Sequence, residues 1–182
     1  MENYPVPAAS TKDIYTYYAG WITWLFFPSL ATVVNLISVV FHRLLRHPEI
    51  MKEIINEQNQ VFGNHYSDDN SKDCFTIVSV RKLVKLDSVC RESFRTNKEF
   101  NVSERANVGR ESVILSNGVV IPPGEFYVLF NLWINHQDSI LQKDTIGSYE
   151  KFEPFRHLET SQSVTKTGDD FLLFGLGKHV CP

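Results

Sequence analysis

The sequence predicts a mainly α-helical fold with a small β-sheet, and four features of the chain support this prediction. Residues Ile14 to Phe41 carry no charged side chain, and an amphipathic stretch that starts at Pro48 follows soon after. A second amphipathic stretch occupies Val80 to Phe94. Further along, Asn117-Gly118 separates two short apolar runs, which is the strongest short-range signal for a β-hairpin.

The uncharged run allows two interpretations. It is long enough for a transmembrane helix, and basic residues follow it as cytoplasmic flanking charges would. Pro28 and a series of hydroxyl and amide side chains interrupt it, which favours a buried helix from about Ser29 to Leu45. We assign residues 1–25 to a leader or a partial preceding segment, in which Met1 to Asp13 show no evident structure.

Two further helices are predicted after this run. Pro48 suits the first turn of a helix, which then ends near Gly63. Its apolar face holds Ile50, Met51, Ile54, Ile55, Val61 and Phe62, and its polar face holds Lys52, Glu53, Asn56, Glu57 and Gln60. A polar loop at residues 64–73 precedes a helix at Val80 to Phe94. Its predicted inner face holds Leu83, Leu86, Val89, Cys90 and Phe94. On it, Glu92 and Arg95 have the spacing of an ordinary solvated ion pair.

A small sheet is predicted next. Ser112 to Leu115 and Val119 to Ile121 form the two strands of the hairpin around Asn117-Gly118. The turn Pro122-Pro123-Gly124 is followed by a third strand candidate at Glu125 to Trp133. A polar loop at residues 161–170 then leads to the C-terminal stretch.

Composition excludes several classes of function. A chain of 182 residues with a formal net charge of −3 has no basic footprint, so we expect no nucleic-acid partner. The three cysteines form no Cys-x-x-Cys pair, which argues against a disulfide framework and against a structural zinc site. A small zinc protein that used His179 and Cys181 would need two further ligands, for which the sequence offers no convincing candidates.

The C-terminal stretch Phe171 to Pro182 carries the main candidate site. Gly175 and Gly177 allow the backbone to approach a flat ligand, because glycine has no Cβ. Phe174 supplies an apolar face, and His179 and Lys178 could contact an acidic group at the edge of such a ligand. Cys181 could then bind a metal as a thiolate. The alternative is a glycine-containing turn with one free cysteine that behaves as a small hydrophobic residue.

The pattern Phe174-x-x-Gly177-x-His179-x-Cys181-Pro182 resembles the haem-binding loop of the cytochrome P450 monooxygenases in its fungal-like form. The resemblance implies that Cys181 is the axial thiolate ligand of the haem iron. It also implies that His179 and Lys178 hold a propionate group, and that Phe174, Gly175 and Gly177 surround the cofactor.

Other parts of the chain match the same family, and the first of them is the predicted central helix. Counting back from His47-Pro48-Glu49 places Thr32 where a family threonine assists oxygen activation on the central helix. The chain departs from the pattern on both sides of this position, where Ala31 replaces an acid or a histidine and Val33 replaces a second threonine. This departure puts proton delivery in question, and a hydroxyl that hydrogen-bonds its own helix backbone is the alternative for Thr32.

Glu92 and Arg95 resemble the family's Glu-x-x-Arg pair, and Arg156, within Phe152 to His157, resembles the arginine that joins it. The resemblance implies a buried structural triad, not a catalytic group. His136, in a Trp-x-x-His pattern that is also familiar from the family, is expected to be a local structural hydrogen bonder.

The resemblance as a whole implies a cytochrome P450-like fragment with a central helix, two following helices, a β-hairpin and a cysteine loop, with residues 26–182 as a partial P450 domain. It implies haem b as cofactor, electrons from a reductase that uses NADPH, and the insertion of one oxygen atom from O2 into a small organic substrate. The expected location of a full-length parent is the cytosolic face of the endoplasmic-reticulum membrane, and the fragment alone is expected to have no turnover. The alternative is a membrane-embedded or interaction protein with a span near residues 14–41 and no catalysis.

Overall fold

The structure is a computed structural model that describes residues 11–63, 75–98, 102–124, 126–142, 149–160 and 162–181. In these ranges the chain forms five α-helices, four strands and a short 3₁₀ turn at Gly177–His179. The helices are α1 (Thr11–Arg46), α2 (Pro48–Phe62), α3 (Ile77–Val80), α4 (Val84–Arg95) and α5 (Leu132–Gln137). The strands are β1 (Val102–Asn107), β2 (Val113–Ile114), β3 (Val120–Ile121) and β4 (Phe126–Asn131). The predicted fold class is confirmed, and the loop predicted at residues 64–73 lies outside the described residues.

Helix α1 begins well before its predicted start at Ser29 and runs for 36 residues with Pro28 inside it. The boundary proposed at residue 25 therefore falls within a continuous helix. A proline in a helix removes one N–H donor, and here it does not end the helix. Hydroxyl groups nearby back-bond to the helix, since Ser29 Oγ donates to the Leu25 carbonyl at 2.7 Å and Thr23 Oγ1 to the Ala19 carbonyl at 2.8 Å.

The expectation that α1 is buried is right only for its C-terminal part. Val40 and Leu44 join the core cluster, whose other buried members are Ile50, Ile54, Val89, Phe94 and Phe171. Further towards the N-terminus, large apolar side chains such as Trp24 and Phe27 are 68% and 76% exposed. The sequence pattern did not separate the two parts, because apolar side chains recur along both.

Helix α2 matches its prediction, and it ends at Gly63 with φ +64°. Ile50, Ile54 and Phe62 are buried as expected, but so is Glu57, which the sequence pattern placed on the polar face. The Glu57 carboxylate accepts hydrogen bonds from the backbone N–H groups of Lys85 at 2.6 Å and Leu86 at 3.0 Å. Glu57 thus caps α4, a helix whose own first residues offer no side-chain cap.

We expect Glu57→Ala to lower the free energy of unfolding by about 1–2 kcal/mol, as the loss of a helix N-cap does. Glu53→Ala is the matched control, because Glu53 lies on the same helix and also contacts Lys85, but through an exposed ion pair. That change should cost no more than about 0.5 kcal/mol. Urea unfolding of both variants would decide, and equal losses would contradict the capping role.

The described strands form two small antiparallel pairs. The hairpin β2–β3 pairs Val113 with Ile121, as predicted, and Gly118 takes φ +84° in its turn. Strand β4 pairs with β1, which the sequence analysis did not predict. The third predicted strand is too long at its C-terminal end, because the Asn131 side chain accepts a hydrogen bond from the Trp133 N–H at 3.2 Å and starts α5.

Candidate functional site

The C-terminal loop from Phe171 to Cys181 starts at a buried aromatic ring and folds back on itself. Phe171 is fully buried, and the Cys181 N–H donates to the Phe174 carbonyl at 2.8 Å. Gly175 and Gly177 have φ +76° and +71°, a backbone conformation that favours glycine. A Cβ at Gly177 would meet no atom within 4 Å. The backbone conformation therefore explains this glycine, and the space beside it is open.

The structure distinguishes the two cysteines that lie within the described residues. Cys181 is exposed at the end of the loop, whereas Cys90 is partly buried on α4. Burial raises the pKa of Cys90 to about 12, so this side chain stays a neutral thiol. Only Cys181 of these two can offer its sulfur to a ligand or a metal.

An open cavity of about 690 Å³ lies beside the loop, and Gly175 and Leu176 form part of its wall. The other lining residues are Arg105, Leu129, Phe130, Asn131, Leu132, Ile134, Asn135 and Leu172. Arg105 is the one charged side chain among them. The cavity wall is mixed, with more apolar than polar surface and one cation, and the cysteine loop lies at its edge. Such a wall suits a flat, largely apolar ligand that carries an acidic group.

Arg105 is the site residue that the sequence analysis missed. It lies in β1, where it pairs with Val128 of β4. The sequence of β1 is Val-Ser-Glu-Arg-Ala-Asn, in which Val102 is the one β-branched residue and no residue is aromatic, so it carries little of the composition that indicates a strand. The sequence signal that could have revealed β1 was the apolar strand β4, because a strand needs another segment to pair with.

The remaining predicted loop residues are placed as follows. Lys178 is exposed in the 3₁₀ turn, and of His179 the structure describes only the backbone. Phe174 is partly buried and packs against the core cluster, with its ring edge-to-face on Phe171 at 6.4 Å between centroids. The contacts of these residues with a cofactor stay predictions.

Thr32 lies one helical turn before Leu36, and the two residues share a face of α1. Leu36 packs against the core cluster. Its side chain is exposed. Ser38 Oγ donates to the Val34 carbonyl at 2.8 Å, as Thr23 and Ser29 do to theirs, but within the described chain Thr32 makes no such bond. The back-bonded alternative is therefore not met, and a role in oxygen activation stays a prediction.

The Glu92 cluster, which comprises Glu92, Arg95, Arg156 and His157, lies in the interior. Arg95 holds the Glu92 carboxylate through two hydrogen bonds of 2.7 Å. Arg156 Nε donates to it at 3.2 Å, and His157 Nε2 lies 3.2 Å from its other oxygen. The Glu153 N–H adds a bond of 3.0 Å. These groups come together as the resemblance implied, and the solvated alternative for Glu92 and Arg95 is wrong.

Charge balance in this cluster favours the ionised carboxylate. Burial alone would raise the pKa of Glu92, but hydrogen bonds from Arg95 and His157 outweigh it and hold the pKa at about 2. Arg95 uses its remaining donors on the backbone, including the Tyr149 carbonyl at 2.7 Å. The sequence analysis missed His157, although it adjoins Arg156 in the quoted motif.

His136 is a structural hydrogen bonder, but its partner is distant in the chain and not local as expected. It is fully buried on α5, and its Nε2 accepts the Leu172 N–H at 2.9 Å. Burial, together with the charges of Arg95 and Arg91, lowers the pKa of His136 to about 4. The imidazole is therefore neutral at physiological pH, as an accepting nitrogen requires.

Two alternative readings of the chain can be compared with the structure. Within the described residues, no group of three or more His, Cys, Asp or Glu side chains could hold a metal ion, so a zinc site finds no support there. Residues Ile14–Arg46 are long and apolar enough to cross a membrane, with a mean hydropathy of 1.9 over the most apolar window. The core helix of a soluble protein satisfies the same criteria but is mostly buried, whereas 6% of this window is buried.

Comparison with known proteins places the chain in a family. The sequence profile of the cytochrome P450 family matches residues 20–182. Fumitremorgin C monooxygenase of Aspergillus fumigatus is 29% identical over 83% of this chain and 29% of its own length. The cytochrome P450 monooxygenase cdmJ of Talaromyces verruculosus is 27% identical over 87% of this chain and 29% of its own length.

A solved zebra fish cytochrome P450 with progesterone has a TM-score of 0.58 and 25% identity to this chain, covering 80% of it and 30% of the zebra fish chain. The chain thus spans less than a third of the length of these relatives. On the profile match over most of its residues, the chain belongs to the cytochrome P450 family.

Proposed function

We propose that the chain is part of a haem-dependent monooxygenase that inserts one oxygen atom from O2 into a small organic substrate. The observation that carries the proposal is the exposed Cys181 at the end of a glycine loop, which also lines a partly apolar cavity with Arg105 in its wall. Because the chain spans less than a third of its relatives, this activity is proposed for a full-length family member.

Each described group has a distinct task in this proposal. Cys181 provides the sulfur ligand, and Gly175 and Gly177 let the backbone pass close to the cofactor plane. Arg105 and Lys178 supply positive charge for the propionate groups, and His179 adds a donor. Haem held by a cysteine thiolate supplies the oxygen chemistry.

Other residues act on the substrate side or on the frame. Thr32 carries a hydroxyl without a partner in the described chain, which leaves it able to donate to an oxygen ligand or to a water molecule. The Glu92 cluster holds α4 against residues 149–157 and has no catalytic task. Phe174 joins the loop to the core cluster.

The finer assignments follow from the family. We propose haem b as the cofactor and a reductase that uses NADPH as the electron source. The cytosolic face of the endoplasmic-reticulum membrane is the proposed location of a full-length protein, to which the apolar helix α1 adds compatible but weak support.

The direct test is optical. The purified chain is mixed with haem, reduced and exposed to carbon monoxide, and its main absorption band is compared with those of Cys181→Ala and Cys90→Ala. We expect a strongly red-shifted band that is lost in Cys181→Ala and kept in Cys90→Ala, because of these two described cysteines Cys181 is the exposed one.

Absence of any cysteine-dependent shift in the unmodified chain would contradict haem binding by this chain. It would favour the alternative of a membrane-embedded or interaction protein that uses α1. A shift lost equally in both variants would show that Cys181 is not the specific ligand.

A further inference from the structure

Arg91 is a fully buried cation on α4 that has no task in the proposed function. Its Nη1 donates to the carbonyl oxygens of Ser163 at 2.8 Å and Lys166 at 2.7 Å. Its Nη2 donates to the Asp170 carboxylate at 2.9 Å. The guanidinium carbon lies 4.1 Å from the centre of the Phe171 ring. One side chain thus binds four residues that immediately precede the cysteine loop or begin it.

Two more buried side chains bind the same short segment. His136 Nε2 accepts the Leu172 N–H at 2.9 Å, and the imidazole stacks on the Phe171 ring with centroids 5.5 Å apart and planes inclined by 20°. Gln142 Nε2 donates to the Asp170 carbonyl at 2.6 Å. The segment Asp170 to Leu172 is therefore held by side chains from three separate parts of the chain.

We propose that Arg91, His136 and Gln142 form an anchor that fixes the start of the cysteine loop on α4 before any cofactor binds. They are positioning residues, because none of them has a task at Cys181 itself. The loop then continues from a fixed Phe171 through Phe174 to Cys181, and its position relative to α4 is set at its root. This inference rests on the proposed function of the loop as a cofactor site.

The burial of Arg91 explains why it depends on these particular partners. A guanidinium removed from water needs its donors satisfied, and moving residues 163–171 away would leave Arg91 charged and unpaired in the interior. Arg91 Nε already lacks a partner among the described residues, so the cation depends on its other nitrogens. Asp170 is 25% exposed, so the pair lies at the edge of the core and ties the loop to it.

The first test measures backbone amide exchange in the full chain without haem, in the unmodified protein, Arg91→Met and Lys85→Met. Lys85 is the matched control, because it lies on α4 like Arg91 and its ammonium also binds a carboxylate. Its partner is Glu53 of α2, and that pair is exposed. We expect amide exchange at residues 168–181 to become at least about tenfold faster in Arg91→Met and to change less than about twofold in Lys85→Met, with α2 unaffected in both.

Loop exchange within about twofold of the unmodified chain in Arg91→Met would overturn the proposal, and so would an equal increase in α2, which would indicate general destabilisation. If Arg91→Met does not fold, Gln142→Leu gives the decision, since it removes one uncharged bond to Asp170 and should speed only the loop. Arg91→Lys keeps the charge and should recover part of the protection.

A haem titration of Arg91→Met and of a further variant, His136→Asn, separates this proposal from the proposed function. Weaker haem binding in Arg91→Met and His136→Asn, with the Cys181-dependent band kept, is the expected result. Unchanged haem affinity in both would overturn the anchor and leave the haem site standing. No haem binding in the unmodified chain would remove the proposed function, while the exchange data would still show whether the anchor fixes the loop.

Discussion

Replacing Glu92 with glutamine is expected to lower the free energy of unfolding by about 3–5 kcal/mol, the typical cost of removing one partner from a buried ion pair. Glu92 is fully buried, and Arg95 and Arg156 are buried with it. Glutamine keeps the size and one acceptor oxygen, but it leaves both guanidinium groups without a negative charge. Since a folded domain has only about 5–15 kcal/mol of stability, such a loss could unfold the chain at room temperature.

Urea unfolding followed by circular dichroism would measure the effect of Glu92→Gln, with Glu159→Gln as the control. Glu159 is exposed, so its change removes the same charge without touching the interior. We expect the control to stay within about 0.5 kcal/mol of the unmodified chain. A Glu92→Gln variant that unfolds at the same urea concentration as the control would show that the cluster does not stabilise the fold.

Acidification is expected to remove about 3 kcal/mol of stability between pH 6.5 and pH 4 through His136 alone. The imidazole has an ordinary pKa of 6.5 when unfolded and a pKa of about 4 in the folded chain, because of burial and the charges of Arg95 and Arg91, against the opposing charge of Asp170. As the pH falls, the unfolded state binds the proton first. Stability is therefore complete above pH 6.5, falls down to pH 4, and loses nothing further from this group below that, at about 1.4 kcal/mol per pKa unit.

The measurement is a set of urea unfolding curves between pH 7 and pH 4 for the unmodified chain and His136→Asn. The variant should be less stable at pH 7, and its stability should vary about 3 kcal/mol less across this range. Identical slopes in the two proteins would contradict a neutral, buried His136. Glu92 acts in a lower range, since its folded pKa of about 2 means that its contribution is lost from pH 4.5 downwards.

Local patterns were sufficient for much of the fold. Pro48 and Gly63 mark the ends of α2 in the sequence, and Asn117-Gly118 marks the hairpin, because caps and tight turns depend on residues that are adjacent in the chain. The spacing of Glu92 and Arg95 alone could not predict that this pair is buried. The same spacing occurs on solvated helices, and only the resemblance to a family indicated that it would be buried.

The parts that sequence reasoning missed depend on distant partners. Glu57 has the position of a solvent-facing residue on α2 and is buried because α4 presents two free N–H groups to it. Arg91 is polar and next to Glu92 in the chain, yet its partners are carbonyl groups more than 70 residues later. Arg105 was missed because β1 takes its strand conformation from pairing with β4. Hydrophobic periodicity carries no information about such contacts.

The long sequence separations in α4 also bear on how the chain is made. Apart from Arg95 on the same helix, the hydrogen-bond partners of the Glu92 and Arg91 side chains lie 61 to 79 residues further along the chain. At a synthesis rate of about 5–20 residues per second, α4 leaves the ribosome roughly 3 to 16 seconds before those partners do. During this interval its charged side chains remain hydrated, and the helix cannot yet take its place in the core. A ribosome that stalls before residue 150 would therefore release a product in which Glu92 keeps Arg95 but lacks the Glu153 N–H, Arg156 and His157, and in which Arg91 lacks Asp170.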